Sequence, residues 1–334
     1  MWRQWRSWSI SPKNFQRLAF VTLVAMSIII VTGGAVRLTQ SGLGCPTWPN
    51  CTAHHLAASF SFHPMVEFVN RLITIFCSGI IILIALAAFV RKPFRRDLAK
   101  LAFGLIGGLI AEIVLGGITV LEKLVPPFVM AHFMLALIVA WNALVLYRRA
   151  STPEPIRHRR VTIESVWVVR ILLANLAAVI FMGTVVTGTG PHSGSPIAKR
   201  LPFQLRAVAE LHADLVLFLI GLTLATVFLL HQGRAPADVQ RTARFLLVAE
   251  AAQAAIGYTQ YFTNLPALLV GFHIAGATLL WLTALWLYLS LFSRFNPAAL
   301  DSPVEFTLDQ ELDTDQEEGV SASEGLQSSP IQRR

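Results

Sequence analysis

The segments 129–136 (VMAHFMLA) and 270–277 (VGFHIAGA) align without a gap at a displacement of 141 residues. Each segment carries one histidine, His132 or His273, inside an apolar run of a length that can cross a bilayer. A glycine, Gly116 or Gly257, stands sixteen residues before each histidine, after the preceding apolar run. A match at a fixed displacement across separate segments indicates an internal repeat. The chain is therefore predicted to consist of two related halves.

The repeat extends backwards along the chain. Segment 66–72 (VEFVNRL) pairs with segment 208–214 (VAELHAD) at a displacement of 142, which places Asn70 opposite His212. Four apolar runs separate the partners, so the two halves have the same orientation in a membrane, as in known parallel repeats. The predicted fold is all-α: a polytopic membrane protein whose eight transmembrane helices form two parallel-repeat four-helix bundles.

Composition agrees with a membrane protein. Of the 334 residues, 54% are hydrophobic and 14% are charged, against roughly 25% charged in a soluble chain. This excludes a disordered protein and disfavours a soluble one. A bilayer core of about 30 Å needs about 20 apolar residues per helix, and eight windows qualify: 16–36, 66–90, 99–119, 128–148, 166–188, 207–230, 242–262 and 267–291.

The distribution of charge predicts the orientation. Nine of the 19 acidic residues and two of the 27 basic ones follow Leu300, so residues 1–300 carry 25 bases and 10 acids, a net +15. The bases cluster after the second, fourth and sixth windows. By the positive-inside rule, both termini are cytoplasmic and the loops 37–62, 120–127, 189–206 and 263–266 lie outside. Bases between apolar runs favour an anionic membrane surface over nucleic acid.

These features divide the chain into five parts. The basic start, which carries no acid, is interpreted as a flank of the first span rather than a cleaved targeting peptide. An arginine-rich linker separates the two bundles, and the acidic end has a disordered composition. The predicted boundaries are 1–15 for the cytoplasmic N-terminus, 16–148 for the N-terminal bundle, 149–165 for the linker, 166–292 for the C-terminal bundle and 293–334 for the tail.

The repeat places Asn70, His132, His212 and His273 at one depth near the outer ends of the even-numbered spans. Histidine inside a span is costly and marks a functional position, and neutral imidazole is a common haem ligand. We expect His212 and His273 to bind one haem iron from opposite faces; a hydrogen-bonded packing role is the alternative. The remaining histidines are expected to be solvated: His54, His55, His63, His158, His192 and His231.

The first half differs because Asn70 is a poor iron ligand, which leaves His132 as its one strong ligand. Glu67 lies three residues before Asn70, so both can face one cavity. A buried carboxyl there could pass protons. The second half therefore resembles a closed electron-transfer site and the first a reaction site. The alternative for Glu67 is an ion pair with Arg71 or a role at the helix start.

Other polar groups in the spans could hydrogen-bond a histidine, conduct protons or, as is more common, seal the bundle. They are Glu112, Glu210, Asp214, Glu250 and Gln253.

The first outer loop contains Cys45 and Cys51, which are expected to form a disulfide of structural or redox function. Cys77 is expected to be buried within span two. Arg37 and Arg206 stand at matching places above the two pockets, where they either clamp haem propionates or anchor the helix ends.

The loop 33–51 (GGAVRLTQSGLGCPTWPNC), together with Glu67, the segment 115–120 (LGGITV) and the later histidines, resembles the haem A synthase family. The resemblance covers residues 16–292. It implies an enzyme of the bacterial cell membrane that oxidises the C8 methyl of haem O to the formyl group of haem A by successive hydroxylations and loss of water. It also implies haem b on His212 and His273.

The same resemblance implies a substrate haem pocket in the first half with Glu67 as catalytic carboxylate. Its other expected members are Asn70, His132, Arg37 and Arg71. Expected partners are haem O, haem O synthase, the cytochrome oxidase assembly path and membrane lipid, with a homo-oligomer left open. The chain departs from the family pattern Glu-x-x-His, since Asn70 follows Glu67. We therefore expect His132 to be the only histidine ligand in that pocket.

Two other functions fit parts of the sequence. A di-haem cytochrome that carries electrons from quinol would explain the histidines, although it gives no reason for Glu67 or Asn70. A transporter would need a polar path through the whole bilayer, whereas the candidate groups gather near one face.

Overall fold

The computed structural model describes residues 9–53, 55–152 and 156–295. Within these ranges the chain forms eight long helices and one short two-stranded ribbon. The elements are α1 Pro12–Leu38, α2 Phe62–Val90, α3 Arg96–Leu121, α4 Pro126–Ala150, β1 Ile156–Arg159, α5 Ile163–Thr189, α6 Leu205–Gln232, α7 Ala237–Phe262, α8 Ala267–Ser290 and β2 Phe292–Phe295. The prediction of an all-helical membrane fold is confirmed in its main feature.

Seven of these helices are long and apolar enough to cross a membrane, namely all except α7. Their surfaces expose large apolar side chains such as Phe76, Leu217 and Phe228, as suits contact with lipid chains. Helix α7 has 26 residues, a comparable length, but it is less apolar because it includes Glu250, Gln253 and Gln260. Its crossing of the membrane stays a prediction.

The helices pack in two groups of four. Each of α1 to α4 contacts its neighbours in sequence, and α1 also contacts α4, which closes the first group. Helices α5 to α8 show the same pattern of neighbours. The groups meet where α1 and α4 contact α8 and where α4 contacts α5. At this junction the indole N–H of Trp281 donates to the carbonyl of Leu137 at 3.1 Å, and the Trp141 ring lies edge-on to it.

Two helix–helix turns share an uncommon backbone conformation. Lys123 and Leu124, between α3 and α4, have φ of 53° and 61°; Asn264 and Leu265, between α7 and α8, have φ of 61° and 59°. Positive φ is unfavourable for residues other than glycine. In each pair the second residue donates its amide N–H to the carbonyl five residues back, at 2.9 and 2.8 Å. The two turns are 141 residues apart, the displacement of the sequence repeat.

We call the side that carries residues 39–61, 122–125, 190–204 and 263–266 the loop side. Its segments contact one another across the two groups of helices. The Nε–H of Arg37 donates to the carbonyl of His192 at 2.8 Å, and the amide of Gly42 donates to the carbonyl of Gly194 at 2.9 Å. The loop that follows α1 is therefore joined to the loop that follows α5.

Two observed elements begin or lie across the expected boundaries of the chain's parts. Helix α1 begins at Pro12, inside the expected flank 1–15, because Ser11 caps it by accepting the amide N–H of Asn14 and proline suits the first helical position. The linker 149–165 contains β1, which pairs antiparallel with β2, so the expected disordered tail 293–334 begins within a strand. Hydrophobic periodicity gives no signal for so short a pairing between distant segments.

Several predictions fall on residues that the structure does not describe. They concern the basic start within 1–8, His54, the part of the linker at 153–155 and the acidic tail from 296 to 334.

Packing of α1 against α8 predicts that substitution of Gly34, but not of the adjacent Gly33, lowers the stability of the protein. A Cβ on Gly34 would stand 3.2 Å from two carbons of Ile274, the residue after His273, whereas a Cβ on Gly33 would meet nothing within 4 Å. Gly34→Val should destabilise the protein by about 1–3 kcal/mol through overpacking. The measurement is thermal unfolding in detergent, with Gly33→Val as the matched control; equal unfolding temperatures for the two variants would contradict this packing.

Candidate functional site

Two imidazoles face each other in the second group of helices. The ring centroids of His212 on α6 and His273 on α8 lie 6.4 Å apart, with 71° between the ring planes. Nδ1 of His212 lies 3.0 Å from the carbonyl of Val179 on α5, where it donates its hydrogen. That bond fixes the tautomer and leaves Nε2 as the nitrogen with a free lone pair.

Glycines on the neighbouring helices leave space for these rings. A Cβ on Gly183 of α5 would stand 3.4 Å from Cε1 of His212, and a Cβ on Gly257 of α7 would stand 3.5 Å from Cε1 of His273. Nδ1 of His273 and Oε1 of Gln253 are buried, and neither has a hydrogen-bond partner. Buried polar atoms ordinarily have hydrogen-bond partners. This pocket therefore contains two polar atoms that could still form hydrogen bonds.

The residues present fit a haem with two axial imidazoles. A separation of 6.4 Å between ring centroids accommodates two metal–nitrogen bonds of about 2 Å each in addition to the ring radii. The bond from His212 to a backbone carbonyl is the outer-shell contact that commonly orients a ligating histidine. His212 and His273 could therefore hold one haem iron between α6 and α8.

The matching pocket of the first group contains one histidine and a carboxylate. His132 on α4 has a side chain that is 40% exposed, and its Nδ1 lies 2.7 Å from Oε2 of Glu112 on α3. A Cβ on Gly116 would stand 3.2 Å from Cε1 of His132, so the ring lies against α3 there. Oδ1 of Asn70 on α2 is buried without a hydrogen-bond partner. A histidine with a carboxylate partner thus shares this half with an unsatisfied amide oxygen.

A disulfide between Cys45 and Cys51 closes the loop after α1, as predicted. The loop is fixed to α2 through Glu67, whose side chain is 6% exposed. Oε2 of Glu67 accepts the amide N–H of Cys45 at 2.8 Å, and Oε1 pairs with Nη2 of Arg71 at 2.6 Å. Both carboxylate oxygens therefore have partners in the protein.

Arg71 lies beneath this loop. Besides its pair with Glu67, its guanidinium donates at 3.1–3.2 Å to four loop carbonyls, those of Cys45, Thr47, Pro49 and Asn50. The structure therefore places Arg71 as an anchor of the disulfide loop. A planar donor fork suits such convergent carbonyls better than an ammonium does.

The loop also touches the first-half pocket. A Cβ on Gly117 would stand 3.0–3.3 Å from the Trp48 ring, so this indole packs directly on α3. Gly117 follows Gly116, which contacts His132. The Glu67–Arg71 pair therefore holds a loop whose tryptophan lies one residue along α3 from the His132 contact.

The two arginines proposed as propionate clamps have different surroundings. Arg37 donates to the carbonyl of His192, whereas Arg206 is 79% exposed and pairs with Glu210 at 2.7 Å. The expectation that His192 is solvated is wrong, because it is partly buried and its Nε2 lies 2.8 Å from the carbonyl of Leu265. The α5–α6 loop turns at Gly194, where φ is +100°, and His192 in this loop contacts α1 and the α7–α8 turn.

Of the other polar groups in the helices, only some seal the bundle. Glu250 is buried and accepts the hydroxyl hydrogen of Thr223 on α6 at 2.8 Å, as the sealing role predicts. Glu210 and Asp214 are exposed on α6, so the predicted role of sealing the bundle interior by hydrogen bonds is wrong for both. The expected burial of Cys77 is confirmed. Sequence reasoning left Glu112 without a role, although its place one turn before Gly116 put both residues on one face of α3.

The family model described as cytochrome oxidase assembly protein (COX15-CtaA) matches residues 16–59 and 56–192 of this chain. The proteins to which the chain is similar include one named heme A synthase from Exiguobacterium sibiricum, 36% identical over 131 residues, which is 38% of this chain and 43% of that protein. Another of that name, from Shewanella oneidensis, is 26% identical over 186 residues, or 50% of this chain and 54% of the relative. The matched stretch thus spans about half the length of each relative.

The position of Arg71 predicts a strong effect of removing its guanidinium. Arg71→Met should leave Glu67 unpaired and four loop carbonyls without a donor, at a cost of about 3–5 kcal/mol for the buried pair. The loop 45–51 should then exchange its amide hydrogens faster, and dithiothreitol should reduce the disulfide sooner. Arg206→Met is the matched control, because its exposed pair contributes at most about 1 kcal/mol. Unchanged exchange in Arg71→Met would contradict the anchoring role.

Proposed function

Because this chain belongs to the COX15-CtaA family of cytochrome oxidase assembly proteins, we propose that it is a membrane haem A synthase, an oxidoreductase that converts haem O to haem A. The reaction oxidises the C8 methyl of haem O to a formyl group. The observation that carries the proposal is the asymmetry of two related pockets: one has two facing imidazoles, and the other has one histidine and an unsatisfied asparagine.

The second-half pocket is proposed to hold haem b. Bound haem b supplies reversible one-electron transfer between its ferric and ferrous states. His212 and His273 would hold it, and the carbonyl of Val179 accepts the Nδ1 hydrogen of His212, which leaves Nε2 as the nitrogen able to bind a metal. Two strong ligands leave no coordination position for a substrate, which suits electron transfer rather than chemistry on carbon.

The first-half pocket is proposed to bind the substrate haem O. His132 is its one histidine ligand there, and Asn70 leaves the opposite face open for reaction. Glu67 is proposed as the catalytic carboxylate, and its partners Cys45 in the loop and Arg71 on α2 fix its position. Arg37 and Arg71 lie at the pocket's loop side, and Arg206 remains a candidate for haem propionates at the second pocket.

The proposed architecture has eight transmembrane helices in two parallel-repeat four-helix bundles, 16–148 and 166–292, joined by the linker 149–165. The repeated turns at 123–124 and 264–265 and the equal neighbour pattern of the helices support it. We place the loop side outside a bacterial cell membrane, with both termini cytoplasmic. A disulfide on that side agrees, because oxidising compartments preserve disulfides.

The partners follow from the reaction. Haem O must be delivered by an enzyme that makes it, and haem A must pass to cytochrome oxidase assembly. A di-haem cytochrome that carries electrons from quinol is the second candidate. It agrees with the facing imidazoles, but it assigns no purpose to the pocket that lacks a second histidine.

Haem extraction tests the function. Cells that lack this protein should contain haem O and no haem A, and expression of the chain should restore haem A, as chromatography of extracted haems will show. A di-haem electron carrier would leave the haem types unchanged while altering respiratory electron flow.

Two variants separate a chemical role of Glu67 from loop anchoring. Glu67→Gln keeps an acceptor oxygen for the amide of Cys45 but loses the carboxylate, so haem A formation should fall by about 10²–10⁴-fold while the loop stays protected from hydrogen exchange. Arg71→Met should release the loop. If Glu67→Gln retained full conversion of haem O to haem A, the catalytic assignment would be wrong.

A further inference from the structure

Each pocket histidine on α4 and α8 has a polar residue at the same place on the preceding helix. Glu112 precedes His132 by twenty residues, and Gln253 precedes His273 by the same number. The two pairs are related by the displacement of 141 that also relates the turns between their helices. The two halves therefore correspond at the pocket histidine and also at a second residue, Glu112 or Gln253, that can accept a hydrogen bond.

The first-half pair is in contact. Oε2 of Glu112 lies 2.7 Å from Nδ1 of His132, and the carboxylate is 18% exposed. The ring itself lies against Gly116, one turn further along α3 on the same face. Glu112 thus approaches Nδ1 of the ring, while a Cβ on Gly116 would stand 3.5 Å from Nε2.

The second-half pair has the same parts, and in both halves Nδ1 of the histidine has no hydrogen bond of standard geometry. The His273 ring lies against Gly257, one turn after Gln253 on α7. The amide of Gln253 packs into the space left by Gly276, one turn beyond His273 on α8, where a side chain would overlap it. Oε1 of Gln253 and Nδ1 of His273 are both buried without partners. An acceptor without a partner therefore packs against α8 three residues after a histidine whose Nδ1 also lacks one.

We propose that Glu112 and Gln253 are the positioning residues of the iron ligands His132 and His273. Each accepts the Nδ1–H of its histidine, fixes the orientation of the ring and directs Nε2 to the iron. Outer-shell acceptors of this kind orient ligating histidines and raise their basicity. The inference rests on the proposed function, because it assumes that both pockets bind a haem.

Glu112 is a carboxylate and Gln253 a neutral amide, and this difference suits a reaction pocket and an electron-transfer pocket. A carboxylate accepts a stronger hydrogen bond than an amide oxygen does, so His132 is the more electron-donating ligand and favours ferric iron. The neutral amide of Gln253 leaves His273 a weaker donor, which favours a higher reduction potential at the electron-transfer haem. The reaction pocket and the electron-transfer pocket are thus distinguished by one substitution, in addition to Asn70.

Reciprocal variants test the proposal on the purified, haem-loaded protein. Gln253→Glu should lower the midpoint potential of the resident haem, measured by spectroscopic redox titration. Glu112→Gln should raise the midpoint of iron protoporphyrin IX added to the first pocket and weaken its binding about 10- to 100-fold. Glu122→Gln, an exposed carboxylate that follows α3, is the matched control and should change neither value.

The outcomes separate this proposal from the function itself. If both reciprocal variants keep the wild-type midpoints while His212→Ala removes the resident haem, the positioning role is wrong and the haem site stands. If His212→Ala keeps the resident haem and haem A is still made, the assignment of His212 and His273 as iron ligands is wrong. If the Glu112→Gln protein does not accumulate, the midpoint potential of the resident haem in Gln253→Glu tests the positioning role alone, and an unchanged potential would show that the role is wrong.

Discussion

The close approach of two imidazoles, the proposed iron ligands, constrains the whole second group of helices. His212 and His273 belong to α6 and α8, and their rings lie 6.4 Å apart only if these helices are fixed in depth and rotation. The carbonyl of Val179 supplies one constraint from α5, and the close approach of α7 at Gly257 supplies another. In a membrane, where lipid is as apolar as the helix surfaces, such close packing and interhelical hydrogen bonds are what hold helices together.

The first group has related geometry with different residues. Its pocket histidine is 40% exposed, Oδ1 of Asn70 has no hydrogen-bond partner, and a disulfide-closed loop packs on α3 beside it. Glu67 and Arg71 determine where that loop lies. Hydrogen bonds from Arg37 and Gly42 then join the loop region to the second group. A displacement of the loop would thus alter contacts in both groups of helices, although each pocket is formed by its own four helices.

Much of this arrangement could be predicted because it depends on spacing. The fixed displacement between His132 and His273 identified the related pockets, and the long apolar runs identified the helices. The disulfide could be predicted because its cysteines are close in sequence. Helix α7 was harder, since Glu250 and Gln253 lower its hydropathy while facing neighbouring helices.

The rest depends on contacts that spacing does not determine. Arg71 anchors the loop because four carbonyls converge on its guanidinium, and their directions follow from the folded loop rather than from residue types. His192 was expected in solvent, yet the turn at Gly194 brings it between α1 and the α7–α8 turn. The β1–β2 ribbon joins segments more than 130 residues apart in sequence. Such contacts between distant segments are what single-sequence patterns predict least well.

The proposed function requires one pocket with two histidine ligands and one pocket with a single histidine ligand. Electron paramagnetic resonance of the purified, oxidised protein loaded with iron protoporphyrin IX distinguishes the two. We expect a low-spin signal of a bis-imidazole haem that is lost in His273→Ala and is unaffected by cyanide. We also expect a second signal, dependent on His132, that changes when cyanide binds. Two cyanide-insensitive bis-imidazole signals, or a bis-imidazole signal that survives His273→Ala, would show that the proposed difference between the pockets is wrong.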